Sequence, residues 1–118
     1  MSAVSDVVKR VREDVVIRRF ESLIDPHLDE IELMYLFGSR CRDDWRPDSD
    51  YDVLVIVRKR SRELKSRLYD AVMDVLLETG RLVSLKIVER AEFERLRSIP
   101  TPFLANVLRE GVQIGPVH

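Results

Sequence analysis

Residues 35–57, YLFGSRCRDDWRPDSDYDVLVIV, hold the pattern that decides the fold. An apolar run ends at Gly38 and Ser39, a polar loop follows, and Asp50 and Asp52 stand before five aliphatic residues. On a strand, side chains two residues apart project from the same face, about 6.6 Å apart along the backbone. Two carboxylates in that arrangement repel each other, and burial strengthens the repulsion. The pattern therefore raises the question of what balances their charge.

A hard cation can balance it. Mg²⁺ takes oxygen ligands, usually one or two carboxylates together with water and substrate phosphates. Gly38 lets the backbone approach a ligand closely, and a helical turn beginning at Ser39 would direct N–H groups and a hydroxyl at an anion. Arg40 and Arg42 follow in the same turn, and either can pair with a phosphate. The stretch therefore predicts a metal–polyphosphate site and displacement at phosphorus.

Each part of the stretch also has a simpler interpretation. A Gly-Ser pair alone is typical of a turn, and an Asp-x-Asp pair alone is typical of a solvated strand end. Asp48, Ser49 and Asp50 follow Pro47, and all three are common turn residues. The functional interpretation is favoured by the combination, in which a strand, Gly-Ser, a basic loop, Ser-Asp-x-Asp and a fully apolar strand follow in order.

The rest of the chain predicts an α-β-loop-β-α-β-α order. Amphipathic spacing indicates a helix over residues 4–24, with Ser2 as its N-cap and Pro26 as its end. Further elements are predicted as strands 31–37, 51–57 and 82–88, helix 62–79 between Ser61 and Gly80, a short helix 92–96, and helix 102–110 with Phe103, Val107 and Leu108 inward and Gly111 as its stop.

This order predicts an α/β (α+β) fold with a small mixed β-sheet flanked by helices. Strands 31–37 and 51–57 are expected to be neighbours. The helix over residues 62–79 is long enough to cross between parallel strands. Apolar residues on both pleat faces of strand 51–57 beyond Asp52 indicate that this strand is buried on both sides.

Composition limits the classes of function. The 118 residues suffice for a single domain over residues 1–118, with 45% hydrophobic and 35% charged residues. A net charge of −1 does not favour direct nucleic-acid binding, and no membrane helix or signal peptide is expected. The single cysteine, Cys41, excludes an intramolecular disulfide and is compatible with the cytoplasm.

The stretch resembles the signature of the nucleotidyltransferase superfamily with the DNA polymerase β palm, in its minimal single-domain form. Gly-Ser, ten residues and Asp-x-Asp have the family spacing, and the tail TPFLANVLREGVQI is also similar to the end of such proteins. Residues at matching positions are Gly38, Ser39, Arg42, Ser49, Asp50 and Asp52.

The resemblance implies a polymerase β palm-like fold and transfer of a nucleoside monophosphate from Mg²⁺-bound NTP, with ATP expected, to an acceptor. Asp50 and Asp52 would be catalytic metal ligands, and the other four matching residues would bind the nucleotide phosphates. The chain is also similar to antitoxins of HEPN–MNT toxin–antitoxin pairs, which implies a HEPN toxin as partner and protein acceptor. The N-terminal helix could serve that partner, a homo-oligomer or only the core, and these alternatives stay open.

Three positions depart from the family pattern. Asp43 stands where glycine is usual, and Cys41 stands where alanine is usual. The family's third carboxylate lies on the strand after the long helix, where this chain offers Ser84 and Lys86. The resemblance therefore leaves two alternatives to an enzyme: a catalytically weak palm domain that inhibits its partner by binding, and a nucleotide sensor. The role of Trp45, which could stack on a base or pack against protein, is also open.

Overall fold

A computed structural model describes residues 3–41, 46–99 and 101–115. In chain order the elements are α1 (Ala3–Glu13), α2 (Val15–Ile24), a 3₁₀ helix (Asp25–Glu30), β1 (Ile31–Phe37), a 3₁₀ turn (Gly38–Cys41), β2 (Tyr51–Val57), α3 (Arg62–Thr79), β3 (Val83–Glu89), α4 (Arg90–Arg97), α5 (Pro102–Glu110) and β4 (Val112–Gly115). Within these residues, no helix is both long enough and apolar enough to span a membrane.

The four strands form one mixed sheet in the order β3-β2-β1-β4. β1 pairs antiparallel with β2 and with β4, whereas β2 and β3 are parallel. Parallel neighbours need a crossover connection, and α3 supplies it. The mixed sheet, the pairing of the first two strands and the crossover helix are therefore confirmed.

The alternating side chains of the sheet build two apolar clusters, one on each face. Helices α1, α2 and α3 cover one face, where Phe20, Leu68 and Val55 are fully buried. Helices α4 and α5 cover the other face, where Phe93 and Leu104 pack near the Leu54 side of β2. Covering on both faces explains why β2 is almost continuously apolar. Asp52 lies on the α4–α5 face, because it is two residues before Leu54.

The single helix predicted over residues 4–24 is wrong, because Asp14 divides it. Asp14 has an extended backbone, φ −65° and ψ 123°, and its carboxylate accepts hydrogen bonds from Val16 N (2.8 Å) and Ile17 N (3.2 Å). A side chain that accepts the free N–H groups of a first turn begins a new helix. The helical apolar spacing continues through this break, which hides it in the sequence. The proposed N-cap Ser2 lies outside the described residues.

The predicted limits of α3 and α5 are confirmed. Ser61 Oγ accepts from Leu64 N at 3.0 Å at the start of α3, and Gly80 ends it with φ +72°. Helix α5 begins at Pro102 and ends before Gly111. The short helix predicted over residues 92–96 is α4, longer by a few residues.

The inward face predicted for α5 is only partly correct. Val107 is buried, but Phe103 and Leu108 are 43% and 45% exposed, and Leu104 is the second buried residue. Helix α5 has only nine residues and packs on one face of the sheet. Two buried side chains three residues apart, Leu104 and Val107, are therefore enough to fill its contact with the sheet. No strand was predicted after Gly111, whereas the structure has β4 there, paired with β1 at the edge of the sheet.

Candidate functional site

The end of β1 meets the start of β2 at Gly38 and Asp52. Phe37 is the cross-strand partner of Asp52, so the chain turns away from β1 directly beside this carboxylate. Gly38 has φ +80°, and a Cβ atom added to it would lie 2.5 Å from Asp52 Oδ2. Only glycine allows both this backbone conformation and this approach. The Gly-Ser turn and the second aspartate, fourteen residues apart in sequence, therefore meet at one point.

Asp52 is half-buried, and its electrostatic surroundings oppose its ionisation. Burial raises the pKa of Asp52, the charge of Asp50 raises it further, and Lys86 acts in the opposite direction. Asp50 itself is exposed and precedes β2. A divalent cation between the two carboxylates would offset both unfavourable effects.

The two predicted serines lie on either side of this point. Ser39 is half-buried within the 3₁₀ turn Gly38–Cys41. Ser49 Oγ accepts a hydrogen bond from Arg46 N at 3.3 Å, so this hydroxyl also stabilises the turn before the aspartates. The predicted Arg42, like the neighbouring Asp43 and Trp45, lies outside the described residues.

Arg40 has a different role from the one its position predicts. Its side chain is buried, and it donates from Nε to Ser49 O (3.0 Å) and from Nη2 to Pro47 O (2.8 Å). The backbone carbonyl of Arg40 accepts a hydrogen bond from Arg10. The guanidinium is therefore committed to protein groups, and the prediction that it can pair with phosphate is wrong. Arg40 instead connects the Gly-Ser turn to the segment that carries Asp50.

Sequence reasoning missed the support that Asp14 and Tyr51 give to this segment. The guanidinium of Arg40 lies 3.8 Å from the ring centroid of Tyr51, and the Tyr51 hydroxyl donates to Asp14 Oδ2 at 2.7 Å. Burial is the main cause that raises the pKa of Tyr51 above its ordinary range, and the hydrogen bond to Asp14 is the second. Asp14 Oδ2 also lies 3.7 Å from Arg40 Nη1. No local sequence signal connects Asp14 with a tyrosine 37 positions later.

Strand β3 adds Ser84 and Lys86 beside the aspartate. Ser84 is the parallel partner of Asp52, and Lys86 is the partner of Leu54. Both side chains are exposed. The positive charge of Lys86 lowers the pKa of the Asp52 carboxyl and so partly opposes the effects of burial and of Asp50.

The carboxylates of Asp50 and Asp52 are oxygen donors of the kind that Mg²⁺ takes. Among the described residues, no group of three or more His, Cys, Asp or Glu side chains is arranged to hold a metal. Mg²⁺ does not need such a group when substrate phosphates and water complete its coordination. Cys41 is buried, donates from Sγ to Leu36 O at 3.1 Å, and has a raised thiol pKa because of its burial, so it does not suit a thiolate ligand.

Two of the cavities formed by the described residues lie at opposite ends of the sheet. The larger, of 460 Å³, adjoins Val57 and the start of α3, far from the two aspartates along β2. The smaller, of 170 Å³, adjoins Gly38. We place the candidate site at the smaller cavity, because Gly38, which lies against the Asp52 carboxylate, lines this cavity and not the larger one.

Comparison with known proteins agrees with this geometry. Residues 21–115 match the family model described as polymerase beta, nucleotidyltransferase. No curated protein matches the chain. A crystal structure of a toxin–antitoxin with AMP-PNP is similar to it, with a TM-score of 0.56 and 19% identity over 86% of this chain and 74% of that chain.

Two further solved structures are similar. The toxin–antitoxin MntA–HepT gives a TM-score of 0.50 and 17% identity over 87% of this chain and 72% of the other. The tri-AMPylated Shewanella oneidensis HEPN toxin in complex with MNT antitoxin gives a TM-score of 0.51 and 18% identity over 87% of this chain and 71% of the other. At these identities the likeness shows a common fold.

The family model covers most of the chain. Its match runs from α2 through β4 and includes the Gly-Ser turn, both aspartates and the Ser84 position. On this evidence, the chain belongs to the polymerase beta nucleotidyltransferase family.

Proposed function

We propose that this chain binds a Mg²⁺–nucleoside triphosphate, with ATP as the nucleotide, and transfers its nucleoside monophosphate to a protein. Gly38 and Ser39 would bind the phosphates, assisted by Arg42 and Ser49, and Asp50 and Asp52 would hold the metal. The observation that carries the proposal is the approach of Gly38 to Asp52, at which even a methyl group would lie 2.5 Å from the carboxylate oxygen.

The chain's own residues would act mainly by position. The N–H groups of the Gly-Ser turn would hold the phosphates beside the carboxylates, so that the α-phosphorus faces the acceptor. Bound Mg²⁺ would neutralise the charge that develops on the phosphates. The acceptor hydroxyl oxygen would then bond to the α-phosphorus, the bond to pyrophosphate would break, and the hydroxyl proton would pass to solvent.

The acceptor is proposed from the structural neighbours. One of them is a toxin–antitoxin with AMP-PNP, and another is an AMPylated HEPN toxin in complex with MNT antitoxin. We propose that this chain likewise has a HEPN-type partner, acts on it as an antitoxin in the cytoplasm and transfers AMP to it. The exposed Asp50 and the half-buried Ser39 would then face the partner's acceptor hydroxyl.

The β3 residues favour a second candidate. We propose that the family's third carboxylate is missing here, because Ser84 occupies the position beside Asp52 and Lys86 follows on the same face. Without that acid, the β3 residues beside Asp52, Ser84 and Lys86, offer no carboxylate to accept the proton of the acceptor hydroxyl. The second candidate is therefore a palm domain that binds Mg²⁺-ATP and inhibits a HEPN partner by binding, with little or no transfer.

The decisive experiment is transfer of label from α-labelled ATP to a co-purified HEPN-type partner. We expect incorporation that depends on Mg²⁺ and disappears in Asp50→Asn and Asp52→Asn. The control is Asp48→Asn, because Asp48 is an exposed acid of the same segment outside the metal pair. Labelling of the partner by all three variants at the wild-type rate would contradict the enzyme proposal.

The same proteins distinguish the second candidate from the enzyme, when inhibition of the partner is measured together with labelling. If no label is transferred but the partner is still inhibited, the binding-module function holds, and inhibition should survive Asp52→Asn. If inhibition disappears in Asp52→Asn together with labelling, transfer is the means of inhibition. Introducing an acid at the β3 position, as Ser84→Asp, should raise the transfer rate if the missing carboxylate limits it.

A further inference from the structure

A second group of side chains meets Gly38 from the side of α5. They line the 170 Å³ cavity, whose walls are Phe37, Gly38, Phe103, Asn106, Val107 and Glu110. Pockets that enclose a whole small ligand measure roughly 300–1,000 Å³. A cavity of this size suits one ring system, and it opens beside the residue whose backbone touches Asp52.

Two of the six residues that line this cavity are aromatic. The rings of Phe37 and Phe103 meet edge to face, with centroids 5.4 Å apart and an interplanar angle of 86°. Phe103 remains 43% exposed, whereas Leu104 and Val107 already fill the contact of α5 with the sheet. The core therefore does not require a large aromatic residue at position 103, and the exposed part of its ring can contact a planar ligand.

Polar groups surround the ring in a pattern that suits a nucleotide. Lys86 Nζ lies 5.6 Å from the Phe103 ring centroid and also acts on Asp52, so its charge stands between the aromatic wall and the carboxylates. Asn106 Oδ1 accepts from Arg109 Nη2 at 2.6 Å, which leaves the amide N–H groups of Asn106 as donors at the rim. A purine or pyrimidine edge offers acceptors for such donors.

We propose that Phe37, Phe103 and Asn106 form the binding site for the nucleobase of the nucleotide. This inference rests on the proposed function, because it places the base of the same nucleotide whose phosphates bind at Gly38 and Ser39. The exposed ring of Phe103 stacks on the base, and Asn106 donates to the edge of the base. Lys86, between the wall and Asp52, contacts the part of the nucleotide that connects base and phosphates.

The test compares a ligand that has a base with one that lacks it. Mg²⁺-ATP and Mg²⁺-tripolyphosphate are titrated calorimetrically into wild type and Phe103→Leu, which keeps apolar volume but removes the stacking face. Stacking of a base on an aromatic side chain predicts roughly 5- to 100-fold weaker binding of ATP in the variant. Binding of tripolyphosphate should not change. Phe103→Trp should retain the affinity for ATP.

The control is Leu108→Ala, since Leu108 is equally exposed on the same helix but does not line the cavity. Equal ATP affinity in wild type and Phe103→Leu overturns the inference. A variant that binds ATP and tripolyphosphate more weakly by the same factor overturns it as well. A raised KM for the acceptor with unchanged ATP affinity also overturns it, because the wall would then bind the acceptor.

The outcomes distinguish this inference from the proposed function. If Asp52→Asn abolishes ATP binding and Phe103→Leu does not affect it, the metal–nucleotide site stands and the base site is rejected. If wild type binds neither ATP nor tripolyphosphate, the proposed function fails and the base site fails with it. If Phe103→Leu and Asn106→Leu each weaken the binding of ATP but not the binding of tripolyphosphate, the inference is supported.

Discussion

The guanidinium of Arg40 lies 3.8 Å from the centre of the Tyr51 ring. Arg40 follows the Gly-Ser turn, and Tyr51 stands between the two aspartates, so this contact joins the two halves of the motif. The same guanidinium donates to the carbonyls of Pro47 and Ser49, and the Tyr51 hydroxyl donates to Asp14. The geometry of the site is thus set by a buried arginine that need not touch the ligand.

Replacement of Arg40 by methionine should therefore weaken both the fold and ligand binding. The carbonyls of Pro47 and Ser49 would lose their donors, and because Pro47 is exposed and Ser49 half-buried, the loss is about 0.5–1.5 kcal/mol for each hydrogen bond. Urea denaturation measures the loss, and titration with Mg²⁺-ATP should show reduced affinity. Arg46→Met is the control, since Arg46 is exposed in the same segment. Identical behaviour of the two variants would show that Arg40 does not position the aspartates.

Gly38→Ala and Gly80→Ala form a matched pair. Both glycines have positive φ, so each replacement costs roughly 1–2 kcal/mol from the backbone alone. At Gly80 nothing lies within 4 Å of the added Cβ, whereas at Gly38 it meets Asp52 Oδ2. Thermal unfolding should show both losses, but only Gly38→Ala should reduce affinity for Mg²⁺-ATP. Unchanged affinity in Gly38→Ala would mean that the turn and the carboxylate do not act together.

Asp14→Ala should affect the site through Tyr51. Loss of the N-cap of α2 destabilises the protein by about 0.5–2 kcal/mol, and the Tyr51 hydroxyl also loses its acceptor. Ser61→Ala removes a comparable cap, that of α3, at the other end of β2. Comparison of nucleotide affinity at equal fractions folded should show a decrease only for Asp14→Ala. A decrease of the same size in Ser61→Ala would indicate a general effect of stability.

The Glu21 carboxyl makes stability depend on pH. Burial raises the pKa of Glu21, with Arg18 opposing it in part. A raised folded-state pKa means that this group's contribution to stability is fully present below its unfolded pKa and is lost as pH rises through the folded pKa. Glu21→Gln should therefore raise the Tm at pH 7 relative to wild type.

The same comparison at pH 4 is the internal control. There the carboxyl is largely protonated in both states, so the difference in Tm between Glu21→Gln and wild type should shrink. A constant difference at both pH values would show that hydrogen bonding or packing, and not ionisation, causes the effect.

The sheet and the motif were predictable because their signals are local. The apolar run of β2, the capping residues Ser61 and Gly80 and the length of α3 each specify an element without knowledge of the rest. The Gly-Ser and Asp-x-Asp spacing likewise predicted that Gly38 and Asp52 are part of one site. The pairing of β1 with β2 brings these two residues into contact.

The errors arose where the determining contact is not local. Asp14 breaks a helix whose apolar spacing continues, and its partner Tyr51 comes from another element. Arg40 has the sequence position of a phosphate ligand, but its burial depends on the fold of residues 46–51 around it. Phe103 was predicted to be a core residue because its side chain is apolar and aromatic, but its neighbour Leu104 already fills the contact with the sheet. Strand β4 is too short for its alternation to be recognised.

Calorimetric titration of Mg²⁺-ATP into wild type, Asp52→Asn and Asp48→Asn tests most directly whether the Gly-Ser turn and the aspartates form one site. If they do, wild type and Asp48→Asn bind with the same affinity, and binding to Asp52→Asn is more than about tenfold weaker, because a charged ligand of the metal is lost. Wild-type affinity in Asp52→Asn would contradict a metal–nucleotide site at Gly38 and Asp52.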